Sequence, residues 1–391
     1  MTELAAGMAD IFLSYTHVDR SRARLIVDLV EAEGWTVWWD RGIEPGMTWL
    51  PELEVELANC RAVVVLWSRT STTSEWVVRE ARAGLNKGAL VPILLDQDKF
   101  PAEFAAVQAT DLSHWKGETG LDEVEALLRR LARLVPPSRI DTVRPGYDPA
   151  FLDGERPISL PGVNGAVAVL RYLHFTIVMN PARRLAHYAA YNCDGSQFAD
   201  VPRGGEKWSA DPLLPESLQM NLPLLRQSPY DRGHLMARLT GCWGESRAAS
   251  ISARQAFYWP NIAPQHQRLN RNWWHALEQW ERATARSEGQ LTGFSGPVFA
   301  DEDESFRGEI EFEHGLVARD TFRVPRAYWK VVVVARRGRL AVAAYLMDQV
   351  AMVAQGIRPE IKIADYRVTL GDLEKVAQLR FATSLHEATA L

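Results

Sequence analysis

The sequence predicts two domains, an α/β domain built on a five-stranded parallel sheet and then an α+β domain with an antiparallel sheet. The chain has 391 residues, more than one hydrophobic core usually serves. Short apolar runs alternate with helical patterns over the first third of the chain. Beyond a Pro- and Gly-rich stretch, strand-like segments instead surround a single long helical one, which is typical of an α+β fold.

Strand-like and helical segments alternate through the first domain, residues 1–135. One segment repeats apolar residues at helical spacing and ends at Gly34, a residue common just after a helix. The strand-like runs are rich in β-branched and aromatic residues, as buried parallel strands are. They are residues 9–15, 62–68 and 88–95. This order predicts a doubly wound parallel sheet.

The second domain is predicted to span residues 161–391, after a linker at 136–160 that is dense in Pro, Gly and Asp. Residues 167–180 and 327–347 are strand-like, and the latter contains a turn near Arg337-Gly338. A helical pattern covers residues 270–287. These features predict the antiparallel sheet and its helix.

The net charge of −5 is divided unevenly along the chain. Residues 1–136 carry 14 basic and 21 acidic residues, a net of −7, so the remainder carries 30 against 28, a net of +2. The second domain is therefore the expected partner of a polyanion. The odd count of three cysteines without CxxC spacing favours buried thiols over disulfides or a cysteine-zinc site.

A cytoplasmic location with no membrane contact is expected from the N-terminal residues and from the hydropathy. Residues 1–15 lack a basic region followed by an apolar one. No apolar run reaches the roughly 18 residues that a bilayer span requires.

Three segments of the first domain, in order, are similar to the TIR family: "ADIFLSYTHVDRSRA", "GWTVWWDRGIEPGMTW" and "VVVLWSRTSTTSEWVVREARAG". The resemblance covers about residues 8–135 and implies a flavodoxin-like fold. Because ligands of open parallel sheets bind at the carboxyl ends of the strands, Ser14 and Asp40 are expected to meet there. Self-association, giving a homo-oligomer, is a further implication of this family.

A helix capped by Ser74 would carry Trp76 and Glu80 on one face, four residues apart. An aromatic ring beside a carboxylate suits a planar cation, with Trp76 stacking on nicotinamide and Glu80 stabilising charge on the ribose. Resemblance to TIR NAD hydrolases makes Glu80 the catalytic acid and places Ser14, Tyr15 and Trp76 near NAD. The alternative is that Glu80 is a solvated helix residue and Trp76 a packing residue.

The second domain contains "SPYDRGHLMARL", in which Asp231-Arg232-Gly233-His234 is either a surface turn or part of an active site. The segment "FYWPNIAPQHQRLNRNWWHALEQWER" follows it. Together they resemble the DNA/RNA non-specific endonuclease family, whose ββα-metal site joins a strand and loop to a helix. The resemblance spans about residues 160–385 and includes "KWSADP" and "GFSGPVF".

Phosphodiester hydrolysis needs a deprotonated water and neutralisation of phosphate charge. His234 is expected to be the general base, with Asp231 or a backbone carbonyl fixing its tautomer. Arg232 can pair with the phosphate through its planar fork. The resemblance makes Asn261 the residue that holds either the His234 loop or the phosphate.

Asn270 is the expected ligand of Mg²⁺ or Mn²⁺, since magnesium keeps several waters and needs few protein oxygens. Glu278, about 80° further around an α-helix, is expected to hydrogen-bond one of these waters. The alternative for Asn270 is a helix N-cap. One departure is Glu206, which stands where the family often has Arg, so either Lys207 or another Arg substitutes or the activity is lower than the motif implies.

The combined expectation is a TIR-regulated, magnesium-dependent endonuclease that degrades DNA, and also RNA, as a bacterial antiviral defence or cell-suicide effector. TIR-driven oligomerisation, triggered by an infection or stress signal, would activate it. Two alternatives remain open: the TIR domain is itself an NAD hydrolase that makes a nucleotide signal or depletes the cofactor, or it is a noncatalytic adaptor.

Overall fold

The computed structural model describes the chain in two compact units. One comprises Met1–Val143 with Gly204–Leu213, and the other comprises Arg144–Arg203 with Leu214–Leu391. Within the described ranges, no helix combines the length and apolar character that crossing a membrane requires. These ranges are 9–39, 50–96, 101–118, 121–152, 156–165, 167–203, 207–220, 225, 228–311, 317–355 and 362–391.

A parallel five-stranded sheet in the order β2-β1-β3-β4-β5 forms the centre of the first unit, as predicted. Its central strands are fully buried because helices cover both faces. The strands are β1 Ile11–Ser14, β2 Val37–Trp38, β3 Ala62–Trp67, β4 Leu90–Leu94 and β5 Thr110–Asp111. The helices are α1 Arg20–Glu31, α2 Leu50–Asn59, α3 Glu75–Asn86, α4 Asp122–Leu134 and α5 Ile140–Val143.

Local sequence signals explain where two of these helices begin and end. The Ser74 hydroxyl accepts a hydrogen bond from the Val77 main-chain N–H, so the predicted N-cap of α3 is present. Gly34, with φ of +96°, follows α1 in a conformation that a side chain would strain. Both signals are local, and both predictions are confirmed.

The main sheet of the second unit runs β17-β16-β15-β12-β9-β8-β7, and each neighbouring pair is antiparallel. A short strand, β19, joins β16 in parallel. Its strands are β7 Ala168–Arg171, β8 Phe175–Asn180, β9 Leu185–Asp194, β12 Gln290–Val298, β15 Ala327–Arg336, β16 Arg339–Asp348, β17 Arg367–Val368 and β19 Thr389–Ala390. The predicted antiparallel sheet is confirmed.

Three two-stranded ribbons and several helices complete the second unit. The ribbons pair β10 Tyr230–His234 with β11 Ile262–His266, β13 Glu304–Glu311 with β14 Val317–Val324, and β6 Gly162–Val163 with β18 Leu379–Arg380. The helices are α6 Ser246–Gln255, a π-helix Leu269–Trp274 that continues as α7 His275–Glu288, α8 Gln349–Gln355, α9 Leu370–Ala377 and α10 Thr383–His386.

The hairpin between β15 and β16 turns at the two residues that the sequence indicated. Arg337 and Gly338 both have positive φ, +52° and +72°. Two consecutive positive φ angles match the turn geometry that follows the right-handed twist of paired strands. Arg336 and Arg339 close the ladder on either side of it.

Part of the predicted linker at 136–160 packs into the second unit. Tyr147 and Ile158 are buried in the core of the second unit. The Tyr147 hydroxyl donates to the Ile158 carbonyl oxygen at 2.8 Å. Isolated apolar anchors of this kind have no periodicity, so composition alone made the stretch look unstructured.

The described residues 207–213 group with the first unit. Leu213 packs against the hydrophobic core of that unit. Sequence position therefore does not assign this segment to the second domain, although it lies between residues 161 and 391. The contact of Leu213 with this core could not be predicted, because one apolar residue forms no pattern in the sequence.

A fully buried triad connects the main sheet to α7. The Lys330 ammonium on β15 donates to the Glu281 Oε2 atom at 2.9 Å and to the Tyr191 hydroxyl on β9 at 2.8 Å. The Trp274 ring, at the end of the π-helix, lies 5.1 Å from the Lys330 Nζ atom. Burial raises the pKa of Tyr191 well above its usual value, so the phenol keeps its proton and can donate to Glu281.

We predict that Lys330→Met lowers the free energy of unfolding by about 3–5 kcal/mol, because the Glu281 carboxylate stays buried without its cation. Urea denaturation followed by tryptophan fluorescence measures this. Lys375→Met is the control, since it removes only an exposed pair with Asp372 and should leave the stability close to that of the wild type. Equal stabilities for the two variants would contradict the prediction.

Candidate functional site

Asp231-Arg232-Gly233-His234 lies in a β-strand, so the surface-turn alternative is wrong. Strand β10 pairs antiparallel with β11, and His234 lies opposite Ile262. Because side chains alternate along a strand, Arg232 and His234 point to one side and Asp231 to the other. The strand therefore presents a guanidinium and an imidazole together.

The π-helix runs alongside this strand and is tied to it at both ends. The Asn270 amide Nδ2 donates to the Asp231 Oδ2 atom at 3.1 Å. The Trp274 indole donates to the His234 carbonyl oxygen at 3.1 Å. Asn270 is not an N-cap, because the helix begins at Leu269 and its N-cap is Arg268. That alternative is corrected, and the amide is available for another role.

Asp231 does not orient the His234 imidazole, which corrects one of the two predicted options. Its carboxylate accepts from the Arg271 Nε and Nη2 atoms, both at 2.8 Å, and from Asn270. Burial alone would raise the pKa of Asp231, but the hydrogen bonds from Arg271 and Asn270 lower it. Asp231 is therefore an anion that binds two residues of the π-helix.

His234 ends β10 and is held neutral. Burial of the ring, followed by the charges of Arg203 and Arg238, lowers the pKa of His234 from 6.5 to about 3. The Phe257 ring lies edge-on, with the ring centroids 5.2 Å apart. At physiological pH the imidazole is therefore unprotonated and able to accept a proton.

Asn261 holds the loop that follows His234. The side chain is fully buried, and its Oδ1 atom accepts from the Met236 N–H at 2.9 Å. Its Nδ2 atom donates to the carbonyl oxygens of Met236 and Ala256, both at 2.9 Å. Both amide protons are used by main-chain groups, so of the two predicted roles the geometry favours the loop over the phosphate.

Glu278 lies on α7, where its side chain is 15% exposed and its Oε2 atom is 3.9 Å from the His275 Nδ1 atom. The π-helix changes the direction in which Glu278 points relative to Asn270, compared with the direction predicted for an α-helix. A hydrogen bond that spans five residues turns the chain less per residue than one that spans four. The angle between Asn270 and Glu278 is therefore smaller than the value predicted for an uninterrupted α-helix.

Gln265 lies in the segment that follows His234 and resembles the endonuclease family, but no role was predicted for it. It is fully buried opposite Asp231 in the ribbon. Neither polar atom of its carboxamide has a hydrogen-bond partner among the described residues. Buried amides are normally paired, so this one indicates a water or ligand at the site.

The donors around Asp231 fit a hydrated magnesium or manganese ion. The Asn270 hydrogen bond to Asp231 uses only Nδ2, so the amide Oδ1 atom can be a ligand. The Gln265 carboxamide can hold a water on the same side of the ribbon. Within the described chain, no cluster of three His, Cys, Asp or Glu residues is placed to bind a metal.

Arg203 is a second residue that sequence reasoning missed. The Arg238 Nη2 atom donates to the carbonyl oxygens of Val201 and Pro202, both at 3.0 Å, which fixes the chain just before Arg203. Arg203 is exposed, and its charge acts on His234. Glu206, the position of the missing family arginine, lies outside the described residues. The sequence did contain a candidate for the missing arginine, because Arg203 stands three positions before Glu206.

The first unit brings Ser14 and Glu80 together, although they are 66 residues apart. The Ser14 hydroxyl donates to the Glu80 Oε2 atom at 2.6 Å. Glu80 is only 7% exposed, so the alternative of a solvated helix residue is wrong. Burial raises the pKa of Glu80, and the Ser14 hydrogen bond partly opposes this.

The aromatic residues predicted near NAD differ in their surroundings. Trp76 is 47% exposed and is therefore not a core packing residue. The Arg79 guanidinium carbon lies 4.9 Å from its ring centroid. Tyr15 is half-buried, with its ring 6.3 Å from that of Trp39. Asp40 lies outside the described residues.

His174 is held by packing and a main-chain contact, and the cysteines are buried thiols, as expected. His174 stacks on Trp243 at 3.6 Å, and its Nδ1 atom bonds to the Gly241 carbonyl oxygen at 2.9 Å. All three cysteines are buried and free. None is part of a site described above.

Comparison with known proteins identifies both parts of the chain. The DNA/RNA non-specific endonuclease family matches residues 157–388, and the TIR domain family matches residues 11–128. An uncharacterized protein, y4fB of Sinorhizobium fredii, is 34% identical over 245 residues, covering 56% of this chain and 35% of its own. Human mitochondrial Endonuclease G is 26% identical over 161 residues, covering 41% of this chain and 50% of its own.

A solved structure of an EndoG/EndoGI complex shares 22% identity and a TM-score of 0.45, covering 56% of this chain and 87% of that one. The chain spans about a third to a half of the length of the two curated relatives above.

Two histidines predict a specific loss of stability in acid. The folded protein keeps His174 and His234 neutral, with pKa values of about 4 and about 3, whereas the unfolded chain protonates near 6.5. The unfolded state then binds more protons, so stability falls as the pH drops below 6.5. Each histidine should contribute roughly 1–2 kcal/mol to the loss between pH 7.5 and 5.

Urea denaturation of the wild type and of His174→Phe at both pH values measures this effect. Phenylalanine retains a ring against Trp243 but cannot titrate, so the variant should lose less stability in acid. An identical loss in the two proteins would contradict the assignment to His174.

Proposed function

Because the chain belongs to the DNA/RNA non-specific endonuclease family and carries a TIR domain before it, we propose that it is a metal-dependent endonuclease that cuts DNA and RNA. One observation carries this proposal: Arg232 and neutral His234 lie on β10, and the helix that carries Asn270 is hydrogen-bonded to the same strand at Asp231 and at the His234 carbonyl oxygen. Together these residues provide a base, a phosphate partner and a metal ligand.

His234 is the general base in this mechanism. Its imidazole takes a proton from the attacking water while the water oxygen forms a bond to phosphorus. The bond between phosphorus and the 3′ oxygen then breaks, and the departing oxygen takes a proton from solvent. Asn261 keeps the base in place by binding the main chain of Met236.

Arg232 and Arg203 are the proposed phosphate partners. A guanidinium binds two phosphate oxygens through parallel hydrogen bonds, which gives it both charge and orientation. Arg203 takes the place of the arginine expected at Glu206. A bound Mg²⁺ or Mn²⁺ would neutralise further charge on the phosphate. Asn270 would hold this ion, and Glu278 would orient waters around it.

The TIR domain is the proposed controller of this activity. An unregulated nuclease of low specificity would destroy the nucleic acid of its own cell, and TIR domains commonly self-associate. We infer that oligomerisation in response to an infection or stress signal activates cutting in the cytoplasm. The protein would then act as an antiviral defence effector that kills or arrests its cell.

NAD hydrolysis is a second candidate activity, supported by the Ser14–Glu80 pair. The Glu80 carboxyl on α3 is buried and accepts a hydrogen bond from Ser14, the last residue of β1, which is typical of a functional group rather than a surface residue. In this alternative, Glu80 acts on the ribose and the exposed Trp76 ring stacks on nicotinamide. The reaction would either produce a nucleotide signal or act by depleting the cofactor.

We expect His234→Ala to reduce plasmid and RNA cleavage at least 100-fold, the lower end of what a general base contributes. The assay uses the purified full chain with Mg²⁺, and EDTA should abolish wild-type cleavage. His386→Ala, at a histidine on α10, should cut at the wild-type rate. An active His234→Ala protein would contradict the role of His234.

Glu80→Gln should abolish NAD consumption by the oligomerised protein while its nuclease unit stays folded. Liquid chromatography of NAD and gel analysis of plasmid, run on the same reactions, separate the two activities. Glu75→Gln, an exposed position on the same helix, is the matched control. A wild-type protein that cuts DNA without consuming NAD would eliminate the second candidate and leave a noncatalytic TIR domain.

A further inference from the structure

The Asn270 amide is held in one orientation by its hydrogen bond to Asp231. A carboxylate can only accept hydrogen bonds, so it must face the Nδ2 protons of the amide. The Oδ1 atom is consequently directed away from Asp231. An amide free to rotate would present its nitrogen, which is no ligand for magnesium, about as readily as its oxygen.

Asp231 is itself fixed by Arg271, the residue after Asn270. The guanidinium binds both carboxylate oxygens, with Nε on Oδ2 and Nη2 on Oδ1, each at 2.8 Å. This fork-to-fork geometry defines the plane of the carboxylate as well as its charge state. The Asp231 side chain is 20% exposed, whereas that of Arg271 is 63% exposed.

We propose that Arg271 is a positioning residue for the metal: it fixes Asp231, which orients the Asn270 amide so that its Oδ1 atom faces the ion. This inference rests on the proposed function, because it takes Asn270 as the metal ligand. In this inference Asp231 orients the metal ligand Asn270 and does not orient the His234 imidazole. Groups that orient a metal ligand typically affect metal affinity 10- to 100-fold.

Direct binding of phosphate is the competing role for Arg271. Two of its nitrogen atoms already bind Asp231, so a phosphate could take the fork only by displacing that carboxylate. The two roles predict different measurements. A positioning residue changes the affinity for the metal without nucleic acid, whereas a phosphate-binding residue changes only KM for the substrate.

The experiment measures the Kd of the full chain for Mn²⁺ by calorimetry and electron paramagnetic resonance, in the absence of nucleic acid. Arg271→Ala should weaken Mn²⁺ binding about tenfold or more. Arg271→Lys keeps the charge but not the fork, so its Kd should fall between those of Arg271→Ala and the wild type. The melting temperature of each variant checks that it is folded.

Arg336→Ala is the matched control. Arg336 makes the same two-point contact with Glu288, at the other end of α7 and with similar exposure. This variant should bind Mn²⁺ as the wild type does. If Arg271→Ala has the same Kd as Arg336→Ala, or raises only KM for DNA, the proposal is overturned.

Asn270→Ala distinguishes this inference from the function on which it rests. If the wild type binds Mn²⁺ and Asn270→Ala does not, the metal site is supported, and the Arg271 variants then decide the inference alone. If Asn270→Ala binds Mn²⁺ as tightly as the wild type, the metal ligand is wrong, and both proposals fail together.

Discussion

The buried ion pair between Lys330 and Glu281 is the interaction on which the second unit depends. Two charges inside a core are expensive, and they are tolerated only when each is paired and hydrogen-bonded. The Tyr191 hydroxyl completes the pairing, and the three residues lie on β15, α7 and β9. The triad therefore sets where α7 crosses the sheet, and with it the preceding π-helix that carries Asn270.

The π-helix is the second constraint on the site, because it sets the directions in which the Asn270 and Glu278 side chains point. A wider turn is less favourable than an α-helical one and occurs mainly where function needs it. Here its ends are tied to Asp231 and to the His234 carbonyl oxygen. The wide turn brings Asn270 beside the strand and reduces its angle to Glu278. The proposed metal ligand and the strand that carries the proposed base are thus joined by one irregular turn.

Local patterns predicted most of the fold. Apolar runs predicted the buried strands, Ser74 predicted a helix start, and Arg337-Gly338 predicted a hairpin turn, because each signal acts between near neighbours in sequence. Contacts across long separations were not predictable in the same way. Resemblance placed Ser14 and Glu80 near one ligand but did not predict their hydrogen bond, and Arg203 was missed. Asp231 was one of two predicted partners of the imidazole, but side-chain alternation along β10 turns it towards Asn270 and Arg271 instead.

Gly233 places a limit on how the site can vary. A Cβ atom there would lie 2.1 Å from the Gln265 Oε1 atom, while the backbone φ of Gly233 is not in the left-handed region. The glycine is required by volume rather than by conformation. A side chain at position 233 would occupy space that the Gln265 side chain fills, so a larger residue at 233 is compatible with the ribbon only if position 265 becomes smaller. In an evolving or engineered nuclease of this type, a change at position 233 must therefore be accompanied or preceded by a smaller residue at position 265.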